Sequence, residues 1–269
     1  MEDGFLERMD TQLTGWADPL ARLREAIEKD EFALYCQPIL ELGAAAGYPM
    51  GEVLVRMREE EQALLPPGDF LPVFEHHRMM PQLDRWVVRN TLKRLAAGSR
   101  IPWLSINLSS QTLADPEFPR FVGEEFGRYK VSPECLLFEL DESDVLLHQD
   151  SAAQFAASFR SLGVRLLVDG FGRSAVSFAT FEALQVAFVK VDGSITRKLL
   201  ANEMARNKMN AVLRVGEALG FSVIAECVIE PLWTAVVIQR CLHFALAEGI
   251  AGGSAETAIR ALRRRSSFY

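Results

Sequence analysis

The chain has 269 residues, of which 49% are apolar and 24% charged, and its formal net charge at pH 7 is −7. This length suits a single barrel-type domain, and the apolar fraction is sufficient for a core without disulfides. The negative charge argues against a broad basic nucleic-acid surface, although a pocket for a small anion needs only one or two local cations.

The predicted elements alternate between helices and strands along the chain. Residues 19–30 place apolar side chains on one helical face, and later amphipathic patterns of this kind lie at 118–129, 151–162 and 208–220. Eight strand-like runs are recognisable, at 32–39, 51–56, 103–107, 135–140, 165–169, 187–192, 222–226 and 243–249. Apolar strands alternating with helices predict an α/β fold with a parallel sheet, and eight strands favour a (β/α)8 TIM-like barrel.

The remaining segments suggest one domain with short extensions. We interpret residues 1–18 as an N-terminal extension, 19–260 as the barrel and 261–269 as a basic C-terminal tail. The acidic start and the lack of a long apolar run lead us to expect a cytoplasmic protein. Cys36, Cys135 and Cys241 lie beside apolar runs and are expected to be reduced core residues.

Most of the strand candidates end in, or contain near their end, a polar side chain. Because a barrel carries its site at the carboxyl ends of its strands, these side chains are predicted to converge. Four of them offer the hard oxygen ligands that suit Mg²⁺ or Mn²⁺, namely Glu52, Asn107, Glu139 and Asp169. Crowded carboxylates without a cation would repel one another, which also favours a divalent ion.

The residue types at these strand ends point to phosphate chemistry, with a metal-bound water attacking a phosphate. In that scheme Lys190 would hold a water or a substrate oxygen, and Glu226 would position the water or accept its proton. Arg56 stands four residues after Glu52, so in a strand both side chains would face the same side. Its forked guanidinium could bind a phosphate oxygen.

Several ordered motifs carry a family resemblance. They are FALYCQPILEL (32–42), GEVLVR (51–56), PPGDFLPVFEHHRMMPQLDRWVV (66–88), INLSS (106–110), FELDES (138–143), FVKVDGS (188–194) and VIAECVIE (223–230). Together they resemble the EAL family, barrel domains that bind or hydrolyse the bacterial second messenger cyclic di-GMP. The resemblance extends from about residue 19 to about residue 253.

The resemblance implies a role for each matching residue. The ligands of a first metal would be Glu52, Asn107, Glu139 and Asp169. The catalytic centre would include Lys190 and Glu226, with Glu142 steadying the loop after the strand that carries Asp169. The ligand-binding group would comprise Gln37, Leu54, Arg56, Asp192 and Glu248.

The departures from the family pattern cluster in one loop. The family usually has Asp-Asp-Phe-Gly-Thr-Gly, whereas residues 169–174 read Asp-Gly-Phe-Gly-Arg-Ser. Gly170 replaces an aspartate that helps to hold a second ion in the family, and a glycine has no side-chain oxygen. Arg173 could turn toward a phosphate or toward solvent, and Glu248 stands where a glutamine is usual. These changes imply that only the first Mg²⁺ or Mn²⁺ site is intact.

Three functions compete. The favoured one is a catalytically impaired receptor that binds cyclic di-GMP, with or without metal, and acts through a protein partner or as a homodimer. The second is a weak, Mg²⁺- or Mn²⁺-dependent phosphodiesterase that yields the linear dinucleotide, with Glu248 helping at the altered second site. The third is a ligand-free protein-interaction module, against which the retained metal quartet argues. No contact with DNA or a membrane is expected.

Overall fold

The computed structural model describes residues 16–41, 49–58, 64–173, 178–199, 201–226 and 235–238. Its strands are β1 (Phe32–Glu41), β2 (Met50–Arg58), β3 (Leu64–Leu65), β4 (Trp103–Leu108), β5 (Leu136–Asp141), β6 (Arg165–Phe171), β7 (Phe188–Val191), β8 (Ser222–Ala225) and β9 (Ala235–Ile238). The strand candidate at 243–249 lies outside the described residues.

Helices connect most of these strands. They are α1 (Pro19–Glu28), α2 (Pro67–His76), α3 (Met80–Ala96), α4 (Ser110–Leu113), α5 (Phe118–Tyr129), α6 (Glu142–Leu147), α7 (Gln149–Leu162), α8 (Phe178–Leu184), α9 (Gly193–Thr196) and α10 (Glu203–Leu219), with a 3-10 turn at Pro133–Cys135. Side-chain caps define several starts, because Asp18, Ser109 and Asn202 each accept a hydrogen bond from a backbone N–H in the first turn. No helix in the described part of the chain is long and apolar enough to cross a membrane.

The strand order has the connectivity of a TIM-like barrel. It runs β1-β9-β8-β7-β6-β5-β4-β2-β3, and β1 also pairs with β2, which makes the order cyclic apart from the short β3. The neighbours from β5 to β8 pair in parallel, and the helices between them make the crossovers that parallel strands require. The predicted α/β barrel class is therefore confirmed.

Two details of the prediction were wrong. The sheet is mixed, because β9 is antiparallel to β8 and parallel to β1. Hydrophobic periodicity carries no information on strand direction, so the sequence could not reveal this reversal. Cys36 is exposed and Cys135 is only half-buried, so neither is a core residue, while Cys241 lies outside the described residues.

The contacts between Cα atoms divide the chain into two compact units. Of the described residues, the first comprises 16–36, 53–58, 64–99 and 106–132. The second comprises 37–41, 49–52, 100–105, 133–173, 178–199, 201–226 and 235–238, so several strands contribute residues to both. The second unit contains a cluster of buried apolar side chains, formed by Ile39, Met50, Leu137, Leu167, Phe188 and Ile224. The aromatic ring of Trp103 packs against it.

Candidate functional site

The second unit places its polar cluster one layer above its apolar cluster. Residues two apart on a strand face the same side of the sheet. The residues two positions beyond the apolar layer in β2, β5, β6, β7 and β8 are Glu52, Glu139, Asp169, Lys190 and Glu226. In β1, which runs in the opposite direction to β8, Gln37 stands two positions before Ile39. The alternation that builds the core therefore also delivers the charged layer.

Lys190 lies at the centre of this layer. Its side chain is fully buried, and Nζ lies 2.5 Å from Oε2 of Glu139, 3.0 Å from Oε2 of Glu52 and 3.7 Å from Oδ2 of Asp169. An ammonium group is stable away from water only when it is paired and hydrogen-bonded. The structure thus brings three of the four predicted metal ligands together around a lysine.

The carboxylates of this layer outnumber the ammonium group. Burial raises the pKa of Glu139, and the charges of Glu52 and Asp169 act in the same direction, whereas the Lys190 ammonium lowers it. Burial also raises the pKa of Asp169, and it raises that of Glu226 to about 6 with a further contribution from Asp169. Burial alone would lower the pKa of Lys190, but the carboxylates outweigh it and the pKa is raised. The ammonium therefore stays protonated at neutral pH.

The donor set fits a divalent cation at the first site. In the described chain, Oε1 of Glu139 is buried without a hydrogen-bond donor. The pKa values of Glu139 and Glu226 are raised mainly by burial and further by the neighbouring carboxylates. Mg²⁺ and Mn²⁺ bind in proteins to hard oxygen ligands, mainly carboxylates. No three carboxylate, histidine or cysteine groups among the described residues already form a metal cage, because the carboxylates turn toward Lys190.

The second site does not fit an ion in the same way. Gly170 lies in a β-bulge, where the register between β6 and β7 shifts between Val168 and Phe171, and it adopts a φ of +69°. It contributes no side-chain oxygen, and its backbone N–H donates to Oδ1 of Asp169 at 2.7 Å. A guanidinium, that of Arg173, lies beside Gly170 instead and donates from Nε to the Gly170 carbonyl oxygen at 3.0 Å.

Two neighbouring acids hold the loop that follows β6. Glu142 is buried, and its Oε1 accepts a hydrogen bond from the backbone N–H of Gly172 at 3.0 Å. Asp141 caps α6 by accepting from the Ser143 N–H and also accepts from Nη2 of Arg173 at 2.7 Å.

The predicted ligand-binding residues lie in different parts of the chain. Asp192 belongs to the second unit, caps α9 and lies 3.4 Å from Nε of Arg173 through its Oδ2. Gln37 is half-buried in β1 of the same unit. Glu248 lies outside the described residues.

Three further predicted residues belong to the first unit. Asn107 is exposed near the end of β4, and Leu54 is half-buried in β2. Arg56, in the same strand, lies over the ring of Tyr35 at 5.9 Å and donates to the Val55 carbonyl oxygen. The alternation of β2 directs Glu52, Leu54 and Arg56 to the same side of that strand.

Sequence reasoning missed Asp141 and left the direction of Arg173 open. Asp141 stands inside the quoted motif FELDES, between the two glutamates that drew attention. A usable signal existed, because Arg173 and Gly170 both depart from the family pattern within four residues. A side chain lost and a cation gained in one short loop are a reason to look for a contact between the two positions.

The fold and the charged layer define a class, an α/β TIM-like barrel with an acidic, lysine-centred site toward the carboxyl ends of β5 to β8. The family model described as EAL domain matches residues 20–239. The chain belongs to the EAL domain family.

Individual relatives agree with this assignment. The chain is 29% identical over 217 residues to the cyclic di-GMP phosphodiesterase PdeB of Shewanella oneidensis, covering 79% of this chain and 25% of the relative. It is 29% identical over 210 residues to the cyclic di-GMP phosphodiesterase PdeF of Escherichia coli, covering 77% of this chain and 28% of that protein. The chain thus spans about a quarter of the length of these curated relatives.

A solved structure shares the fold closely. The FimX EAL domain from Pseudomonas aeruginosa, bound to c-di-GMP, matches with a TM-score of 0.73 and 26% identity over 82% of this chain and 93% of that chain. The chain is therefore an EAL domain related both to cyclic di-GMP phosphodiesterases and to a domain solved with the dinucleotide bound.

Proposed function

We propose that this domain binds cyclic di-GMP at the charged layer above its core and hydrolyses it only slowly. In this proposal it acts as a receptor that signals through a protein partner or a second copy of itself. The observation that carries the proposal is the loop after β6, where Gly170 offers no carboxylate and Arg173 brings a guanidinium to the same place. An altered second half of the site impairs hydrolysis more than it impairs binding, because catalysis needs groups matched to the transition state.

The roles we assign follow from the contacts. Glu52, Glu139 and Asp169, together with Asn107, would hold one Mg²⁺ or Mn²⁺. Lys190 keeps the carboxylates in place through its bonds to Glu52 and Glu139.

The nucleotide side of the site is assigned in the same proposal. Its predicted contacts are Gln37, Leu54, Arg56, Asp192 and Glu248. Glu142 fixes the loop through the Gly172 N–H, so that the loop presents a constant surface to the ligand.

A specific observation also favours the second candidate, a weak phosphodiesterase. The pKa of Glu226 is raised to about 6, first by burial and then by Asp169, which places this carboxyl near the range suited to a proton acceptor at neutral pH. A bound Mg²⁺ or Mn²⁺ would supply the Lewis acidity that lowers the pKa of a bound water. Glu226 would orient that water and take its proton, and Lys190 would hold a phosphate oxygen.

The charged layer argues against a pure interaction module. Lys190 and Glu139 are both buried, and a buried ion pair is often no more stabilising than apolar residues of the same volume. A domain that used only its outer surface would have no need for such a layer, whereas a ligand site does.

Calorimetry with cyclic di-GMP, in EDTA and in Mn²⁺, tests this proposal when it is combined with chromatography for the linear product. We expect binding in both buffers and product formation far slower than that of an active EAL phosphodiesterase run alongside. Rapid Mn²⁺-dependent product would replace the receptor with the enzyme. No binding in either buffer would leave the interaction module.

A further inference from the structure

The guanidinium of Arg173 is held by several acceptors at once. Nη2 donates to Oδ2 of Asp141 at 2.7 Å, and Nε donates to the Gly170 carbonyl oxygen at 3.0 Å and lies 3.4 Å from Oδ2 of Asp192. Two carboxylates and a carbonyl group, from the end of β5, from β6 and from the N-terminus of α9, therefore converge on one cation. Planar fork geometry of this kind is characteristic of arginine rather than lysine.

The same guanidinium occupies the space of a side chain at position 170. A Cβ built on Gly170 would lie 1.4 Å from Nη2 and 2.2 Å from Cζ of Arg173, far inside any van der Waals contact. Any residue other than glycine at 170 would force the arginine out of its bonds with Asp141 and Asp192. The observed position of the Arg173 guanidinium therefore depends on the glycine at 170.

We propose that Arg173 serves as the resident cation, that is, the permanently attached positive charge, of the loop half of the site. By the loop half we mean the part formed by Asp141, Gly170, Arg173 and Asp192. The guanidinium there neutralises the two aspartates in place of a divalent ion and occupies the space that a side chain at position 170 would take. This inference deepens the proposed function, on which it rests for the identity of the ligand. It has two consequences. The loop half neither needs nor admits a metal ion, and an anionic phosphate there meets a guanidinium that is fixed in advance.

The charge on Arg173 can be tested without any nucleotide. Arg173→Gln removes the cation that Asp141 and Asp192 share, so Mn²⁺ should raise the thermal unfolding midpoint of this variant more than that of the parent. Lys208→Gln is the matched control. The Nζ of Lys208 donates to the carbonyl oxygen of Gly172, in the same loop, at 3.4 Å, and lysine carries the same charge as arginine. Arg173→Lys, which keeps the charge, should resemble the parent. Equal Mn²⁺ shifts in Arg173→Gln, Lys208→Gln and the parent would overturn the proposal.

The space at position 170 is tested by an alanine comparison. Gly220 also has a positive φ, +82°, but a Cβ there meets no atom within 4 Å, so Gly220→Ala measures backbone strain alone. In the parent, Gly170→Ala should lower the unfolding midpoint further than Gly220→Ala does. In a protein that also carries Arg173→Ala, the two glycine substitutions should lower it by similar amounts. If Gly170→Ala lowers the midpoint no further than Gly220→Ala in the parent, or still lowers it further when Arg173→Ala is present, the guanidinium does not fill the space at position 170.

A nucleotide experiment then separates this inference from the proposed function. In EDTA, Arg173→Gln should bind cyclic di-GMP roughly tenfold more weakly than the parent, as expected for loss of a charge-assisted contact. Mn²⁺ should recover part of that loss in the variant and change the parent little. Unchanged affinity in the variant overturns the role of Arg173 while the receptor stands. A parent that binds no nucleotide overturns the receptor, and the Mn²⁺ comparison still decides the resident cation.

Discussion

Replacing Lys190 with methionine leaves an unbranched side chain one atom shorter and removes the ammonium group that lies 2.5 Å from Glu139 and 3.0 Å from Glu52. Removing one partner of a buried ion pair leaves an uncompensated charge and costs about 3–5 kcal/mol. For a domain of this size each kcal/mol shifts the melting midpoint by roughly 2–4 °C, so we expect a fall of roughly 6–20 °C. Apolar packing around the methionine cannot offset this loss, because the carboxylates stay where the strands hold them.

The measurement is urea unfolding at neutral pH in EDTA, arranged as a double-mutant cycle with Glu139→Gln. Because the two groups are in contact, the combined variant should lose less stability than the sum of the single variants, by at least about 1 kcal/mol. Lys208→Gln controls for the change in net charge and should stay within about 0.5 kcal/mol of the parent. If Lys190→Met is as stable as the parent, the ammonium is not what balances the carboxylates.

Three further outcomes are expected. Gly170→Asp alone should raise any hydrolysis of cyclic di-GMP less than about tenfold, as measured by chromatography, because Arg173 occupies the new side chain's space; full activity would show that the other loop changes are unimportant. Glu142→Leu should lower stability by about 1–3 kcal/mol and weaken nucleotide binding, because the Gly172 N–H loses its acceptor, whereas Glu142→Gln keeps an acceptor and should change both little. Burial raises the pKa of Asp84 to about 6, above its unfolded value, so the folded protein binds more protons between about pH 4 and 6 and its stability falls as the pH rises through that window. Asp84→Asn removes this slope, and its stability relative to the parent should rise by roughly 2–3 kcal/mol from pH 4 to pH 7 in urea titrations; an unchanged difference would show that Asp84 does not titrate in this range.

The charged layer could be predicted from sequence because it follows from strand alternation. In each strand from β5 to β8, the member of the apolar cluster is followed two positions later by an acid or a lysine, and that spacing does not depend on where the strand is taken to begin or end. The arrangement around Lys190 could not be predicted, because carboxylates that would suit a metal also suit an ammonium group. Distances decide between the two, and distances depend on the register of strands far apart in sequence.

The contacts of Arg173 could not be predicted from the sequence either. A long side chain in a loop has many rotamers, and its main partner, Asp141, lies 32 residues earlier in the chain. They meet because β5 and β6 pair in a register that sets Asp141 beside Asp169, next to the bulge at Gly170. Considered alone, Gly170 only removes the carboxylate that the family usually has at this position. In our proposal, the absence of a side chain at this glycine makes room for the Arg173 guanidinium, which takes the place of an exchangeable metal ion. A site of this kind would bind a phosphodiester without activating water against it.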